Sequence, residues 1–146
     1  MKKVLFVCLG NICRSTMAEF VFKDKLEKNG LSNDYHVESR ATSSWEHGNP
    51  IHQGTQKILR KYNIDYDKNK TSRQISNQDF KDYDYILGMD DSNIENLKSM
   101  APAGTEDKIS LFLKDVEIPD PYYTGDFEET YSLVGQASEK FIEKMQ

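Results

Sequence analysis

Cysteine is too scarce in this chain to build a framework. The two present, Cys8 and Cys13, lie so close together that a bridge between them would tie nothing distant. A secreted disulfide scaffold is thereby excluded, and two thiols free at rest point to the reducing cytoplasm. Long apolar runs are also missing. No stretch approaches the roughly 18 residues that a membrane-spanning helix needs, so no membrane association is expected. Basic charge is in deficit, with 19 Lys and Arg against 24 Asp and Glu, a formal net charge of -5. That balance argues against nucleic acid as a partner, because a phosphate backbone calls for a basic face. Any anion site must be local. Eight Gly and four Pro are too few for a fibrous or low-complexity chain, and neither repeats nor linkers interrupt it. The opening MKKVLFVCLG superficially resembles a lipidated signal sequence, but its apolar part is short and Cys8 runs directly into Leu9-Gly10-Asn11. It reads as a first strand.

What remains is one ordinary domain, residues 1–146, long enough to bury about two thirds of its unfolded surface. Val4-Leu5-Phe6-Val7 is a continuous run of the kind covered on both faces in a parallel sheet. The period then changes. Met17, Phe20, Val21 and Leu26 follow helical spacing from Thr16, and Asn29-Gly30 supplies the stop. The alternation recurs along the chain. Tyr35 to Ser39 reads as a strand, and Thr55 to Tyr62 as a helix with Ile58, Leu59 and Tyr62 on one face. Ser76 to Phe80 reads as a short capped helix, Tyr83 to Met89 as a strand, Asp91 to Met100 as a helix and Ile109 to Leu113 as the fourth strand. After the turn-rich Pro119 to Gly125, a last helix carries Phe127, Tyr131, Val134, Phe141 and Ile142 toward the sheet. The expectation is a single-domain, three-layer α/β fold: a four-stranded parallel sheet with helices on both faces and a phosphate-binding loop after the first strand. Ligands in such folds bind beyond the carboxyl ends of the strands, where Cys8 sits.

The segment Cys8-Leu9-Gly10-Asn11-Ile12-Cys13-Arg14-Ser15 has the spacing Cys-x5-Arg-Ser, with Gly10 and Asn11 suited to positive backbone angles. Such a loop curls into a cup whose backbone N–H groups and helix N-terminus favour a tetrahedral anion. Arg14 adds a planar fork of donors matched to phosphate. The same field favours the Cys8 thiolate over the thiol. A thiolate beneath a bound phosphate is a nucleophile.

With Asp120-Pro121-Tyr122-Tyr123 late in the chain, this loop resembles that of the low-molecular-weight protein tyrosine phosphatases. Ser39 followed by Trp45 and Gly48, Arg73-Gln74-Ile75, and Tyr85 to Asp90 are similar to further segments of that family in their expected order. The resemblance implies that Cys8 attacks phosphorus to form a phosphocysteine. It makes Arg14 the ligand of the equatorial oxygens and Asp120 the acid that protonates the leaving phenolate and later the base that activates water. It also implies that Ser15 donates to the Cys8 sulfur, that Asn11 and Ser39 brace the loop, and that no metal or cofactor is required. The implied partner is a phosphotyrosine-containing protein substrate. Three departures stand out. Relatives carry a histidine shortly before Arg-Gln-Ile, where this chain has Lys70-Thr71-Ser72; Arg40 follows Ser39 in place of a small residue; and His52 stands where an Asp is expected.

Plainer explanations compete at several positions. Cys8 as a mere core thiol leaves Gly10, Asn11 and Arg14 beside it unexplained. Cys13 either packs behind the loop or serves redox chemistry with Cys8. Asp120 between two prolines is also an ordinary turn residue. Asp90 either reinforces the loop or caps the helix that follows it. Trp45, Tyr122 and Tyr123 either pack or wall the site so that it grips a phenyl ring, and the two tyrosines are candidate targets of a tyrosine kinase. His47 and His52 with the thiols make a poor zinc set, because Arg14 would repel the cation. Among enzymatic rivals, arsenate reduction lacks the extra redox cysteine it needs. Phosphoarginine hydrolysis is disfavoured by Ile12, where such relatives carry Thr. A phosphate-carrying module that never hydrolyses its phosphocysteine has no use for Asp120.

Overall fold

The computed structural model describes residues 1–146. Its four strands are β1 (Lys2–Cys8), β2 (Tyr35–Ala41), β3 (Tyr85–Gly88) and β4 (Ile109–Leu111). All neighbours pair in parallel, in the order β2-β1-β3-β4, so β1 is central and Cys8 is its last residue. Six helices accompany the sheet: α1 (Arg14–Lys28), α2 (Gln53–Lys61), α3 (Asn77–Asp82), α4 (Asp91–Met100), α5 (Pro121–Thr124) and α6 (Phe127–Lys144). None is long and apolar enough to cross a membrane.

The two-residue period of β1 divides the core. Val4, Phe6 and Cys8 face a large apolar cluster that includes Met17 and Phe22 of α1 and Val134 and Ala137 of α6. Leu5 and Val7 face a smaller one with Phe80 of α3 and Leu97 of α4. Phe6 meets Phe22 and Phe112 edge-on, with centroids at 5.4 and 4.6 Å. Burying such a ring stabilises the fold by about 1.5–3 kcal/mol. Helices on both faces therefore pin the strand whose end carries Cys8.

The sequence expectation holds for every strand and for the longer helices, with shifts at the ends. Helix α1 opens at Arg14 rather than Thr16. Strand β3 is shorter than Tyr83 to Met89: Asp84 instead exchanges bonds with Lys3, its N–H reaching the Lys3 carbonyl and its carboxylate accepting the Lys3 N–H. Strand β4 stops at Leu111, although the Phe112 N–H still reaches the Gly88 carbonyl. Tyr62 does not share the buried face of α2. It is exposed and stacks on Tyr131 at 4.0 Å, its hydroxyl donating to Glu128. The turn-rich segment after Pro119 contains the one-turn helix α5, started by Asp120 and Pro121 and closed by Gly125 at φ 74°.

Candidate active site

The loop between β1 and α1 wraps around the Cys8 sulfur. The backbone N–H groups of Asn11 and Ser15 donate to it at 3.3 and 3.4 Å, and Ser15 Oγ lies 3.2 Å away. The positive angle the cup needs falls on Asn11 alone, at φ 55°. Gly10 does not share it, contrary to expectation. Gly10 serves close approach instead, since a Cβ there would stand 3.3 Å from Glu46 Cγ.

The loop's carbonyls are tied from outside. Ser43 donates to Leu9 O through both N–H and Oγ, Ser72 Oγ donates to Gly10 O at 2.7 Å, the His52 N–H to Ile12 O, and Thr55 Oγ1 to Cys13 O. The amides of Leu9, Gly10, Ile12 and Cys13 have no protein acceptor. Peptide units held by their oxygens leave their N–H groups for an anion, the arrangement that makes backbone nests bind phosphate.

Arg14 is 3% exposed. Its Nη1 donates to Asp90 Oδ2 at 2.7 Å and to Ile118 O at 2.9 Å, and its Nη2 lies 3.4 Å from Asp120 Oδ2. Its buried Nε has no partner. Burial opposes the guanidinium charge, but Cys8, the Asp90 hydrogen bond and Asp120 outweigh it and hold the group above an ordinary arginine's range. Asp90 does both things the sequence left open. Oδ1 caps α4 by accepting the Asn93 N–H, while Oδ2 holds Arg14. Asp120 likewise accepts the Tyr122 N–H at Oδ1 and turns Oδ2 toward Arg14.

A pocket of about 140 Å³ opens above Cys8 and Cys13, walled by Leu9, Gly10, Ile12, Trp45, Asp120, Tyr122 and Tyr123. Trp45 and Tyr123 are more than three-quarters exposed, so their rings are free to close on a substrate rather than spent in packing. Cys13 is buried, and burial first, with the neighbouring Cys8 second, pushes its thiol well above the ordinary range.

Asn11 and Ser39 meet behind the loop. Asn11 Nδ2 donates to Ser15 Oγ at 2.8 Å and to Ser39 Oγ at 3.0 Å, and its Oδ1 accepts the Arg73 N–H. The three departures each find a partner. His52 caps α2, its Nδ1 accepting the Gly54 N–H as an Asp would. Arg40 reaches Asp79 and the Ser39 carbonyl. Lys70 reaches Glu19 and the same carbonyl. Sequence reasoning missed Glu19, Glu46, Thr55 and the Ile118 carbonyl. Only Glu19 left a signal, as an acid on the buried face of α1 one turn beyond Ser15.

A nucleophile-bearing cup at the end of the central strand, an arginine behind it and an aspartate on a proline-flanked loop above it are now in one place. The family described as low molecular weight phosphotyrosine protein phosphatase matches residues 3–146. The chain belongs to this family. The low molecular weight protein-tyrosine-phosphatase YfkJ of Bacillus subtilis is 45% identical, with 100% of this chain and 97% of that one covered. The crystal structure of SP-PTP, the Streptococcus pyogenes low molecular weight protein tyrosine phosphatase, superposes with a TM-score of 0.94 at 53% identity, covering 100% and 94%. A Drosophila arginine phosphatase superposes at 0.90 with 35% identity, covering 100% and 98%. The phosphatase described here is a protein-tyrosine-phosphatase, a hydrolase acting on phosphotyrosine in proteins.

Proposed function

We propose that the phosphatase works through a cysteinyl-phosphate, with residues 1–146 acting as one catalytic domain. The Cys8 thiolate attacks phosphorus in line with the tyrosyl oxygen, and the P–O bond breaks as protonated Asp120 gives its proton to the departing phenolate. The unpaired loop amides of Leu9, Gly10, Ile12 and Cys13, with Arg14 Nε, take the three equatorial oxygens as charge spreads over them. The Asp120 carboxylate then takes a proton from water as that water's oxygen attacks phosphorus. The S–P bond breaks, the thiolate returns and inorganic phosphate leaves. No step calls for a metal or cofactor. The observation that carries this reading is the set of amides without protein acceptors around one sulfur.

Trp45, Tyr122 and Tyr123 grip the phenyl ring in this scheme, and Ile12 narrows the floor against phosphoarginine. A panel of phosphotyrosyl, phosphoseryl and phosphoarginyl peptides tests the assignment. The phosphotyrosyl peptide is expected to be turned over at least about 10²-fold faster than the others, since the aromatic walls act on it alone. Phosphoarginine turnover at an equal rate would overturn the aryl preference. The cytoplasm, where both thiols stay reduced, is the proposed compartment, and Tyr122 and Tyr123, exposed on the rim, are the sites a tyrosine kinase partner would modify.

Asp120→Ala is expected to lower kcat/KM for phenyl phosphates, which reports the first chemical step, by about 10²- to 10⁴-fold, the usual contribution of a positioned acid. The loss shrinks as the leaving phenol becomes more acidic, because such a phenolate departs without a proton. An equal loss across a series of phenols would assign Asp120 to structure.

Cys13 is the proposed resolving thiol. Peroxide oxidises Cys8 to a sulfenic acid; the Cys13 thiol condenses with it, forming an S–S bond and releasing water. With its proton held tightly by burial, Cys13 reacts faster as pH rises. Wild type should regain activity with dithiothreitol after mild peroxide, and Cys13→Ser should lose most of that recovery. Equal recovery, or no Cys8–Cys13 peptide by mass spectrometry, would leave Cys13 a packing residue.

A further inference from the structure

Glu19 and Lys70 form a buried ion pair that the chemistry above does not use. The Glu19 side chain is 3% exposed and that of Lys70 11%, with Nζ 3.1 Å from Oε1. The same Oε1 accepts the Ser39 hydroxyl at 2.6 Å. Lys70 Nζ also donates to the Ser39 carbonyl at 3.1 Å, so it clamps both ends of one serine. The other charges around the pair are Lys23 on Glu19 Oε2 at 2.7 Å, Glu38 at 3.5 Å from Lys70, and Arg40, which bridges Glu38 and Asp79.

From this clamp follows the direction of the side-chain bonds that lead to the sulfur. A serine has one proton. Ser39 spends its own on the carboxylate, so its oxygen accepts from Asn11 Nδ2. The Arg73 N–H at Oδ1 fixes the Asn11 amide with its nitrogen facing the two serines, and the second Nδ2 proton goes to Ser15 Oγ. Ser15 therefore accepts on one side and keeps its own proton for Cys8, 3.2 Å away. That proton stabilises a thiolate and does little for a thiol.

We propose that Lys70 is a positioning residue for the nucleophile: by holding Glu19 and Ser39 it fixes the Ser39–Asn11–Ser15 chain in the sense that delivers the Ser15 hydroxyl proton to the Cys8 thiolate. Lys70 touches neither substrate nor sulfur, and its effect reaches the reaction only through how readily Cys8 is ionised. This rests on Cys8 being the nucleophile.

The test is iodoacetamide alkylation of Cys8, located by peptide mass spectrometry, at about pH 5.5 and about pH 9.5, values below and above the range in which an ordinary free cysteine titrates. In K70M the rate at the lower pH should fall about tenfold while that at the higher pH stays near wild type, the loss expected for one weakened charge-assisted bond. K70R, which keeps the charge, should regain most of it. The double variant E19M/K70M leaves no buried charge alone, and apolar replacement of such a pair usually preserves stability. It should melt near the wild-type temperature yet remain slow at the lower pH, and it decides the matter if K70M alone does not fold. Wild-type alkylation at the lower pH in K70M or in the double variant would overturn the proposal. Should wild-type Cys8 itself alkylate no faster at the lower pH than a free cysteine, the failure would lie with the nucleophile assignment instead.

Discussion

Cys8→Ser is expected to cut p-nitrophenyl phosphate turnover by at least about 10⁴-fold while leaving the fold intact. The cup around residue 8 stabilises an anion, but a serine hydroxyl is hardly ionised at neutral pH even with two amides and a hydroxyl turned toward it. The exchange of sulfur for oxygen shortens a 3% exposed side chain without introducing bulk, and the amides that faced the sulfur can face the oxygen. Thermal unfolding should therefore stay within a few degrees of wild type, and vanadate should still bind. Turnover within tenfold of wild type would mean that another group attacks phosphorus.

Arg14→Lys should be nearly as damaging, lowering kcat by about 10³- to 10⁵-fold, the range for an arginine that stabilises a transferring phosphoryl group. The guanidinium does three jobs at once: Nη1 holds Asp90 and the Ile118 carbonyl, Nη2 meets Asp120, and Nε remains for the phosphate. An ammonium has one nitrogen and no planar fork. With Asp90 at 2.7 Å competing for it, a lysine would be drawn away from the substrate, so charge is kept and geometry lost. Vanadate inhibition should weaken alongside kcat. A kcat within tenfold of wild type would show that Arg14 is a structural cation that leaves the transition state alone.

The parts of this phosphatase that could be read in its sequence are those with a local code. Val4 to Val7 is apolar on both faces because β1 is central, and Cys8 to Ser15 carries its own asparagine turn and helix start. Residues whose partners lie far along the chain were harder. Asp90 posed a false choice, because a carboxylate has two oxygens and serves both the cap and Arg14. Tyr62 fits the apolar stripe of α2 by spacing, yet a hydroxyl that finds Glu128 and a ring that finds Tyr131 keep it at the surface. Lys70 stands in the sequence only as a departure from the histidine that relatives carry. Helical spacing puts Glu19 on the buried face of α1, but nothing near Lys70 in the chain records that the two charges meet there. The outward ties on the loop carbonyls from Ser43, His52, Thr55 and Ser72 are equally silent in sequence, since each is an ordinary loop or helix residue until the chain folds.

The covalent step is tested most directly by rapid acid quench of Asp120→Ala mixed with p-nitrophenyl phosphate, followed by peptide mass spectrometry. This substrate's acidic leaving group departs without the proton that Asp120 would give, whereas the second step still lacks its base, so the intermediate accumulates. One phosphoryl group per chain on the peptide carrying Cys8, formed in step with a burst of p-nitrophenolate, is the predicted result. A burst with no phosphoryl group on Cys8, or with phosphate on another residue, would contradict it.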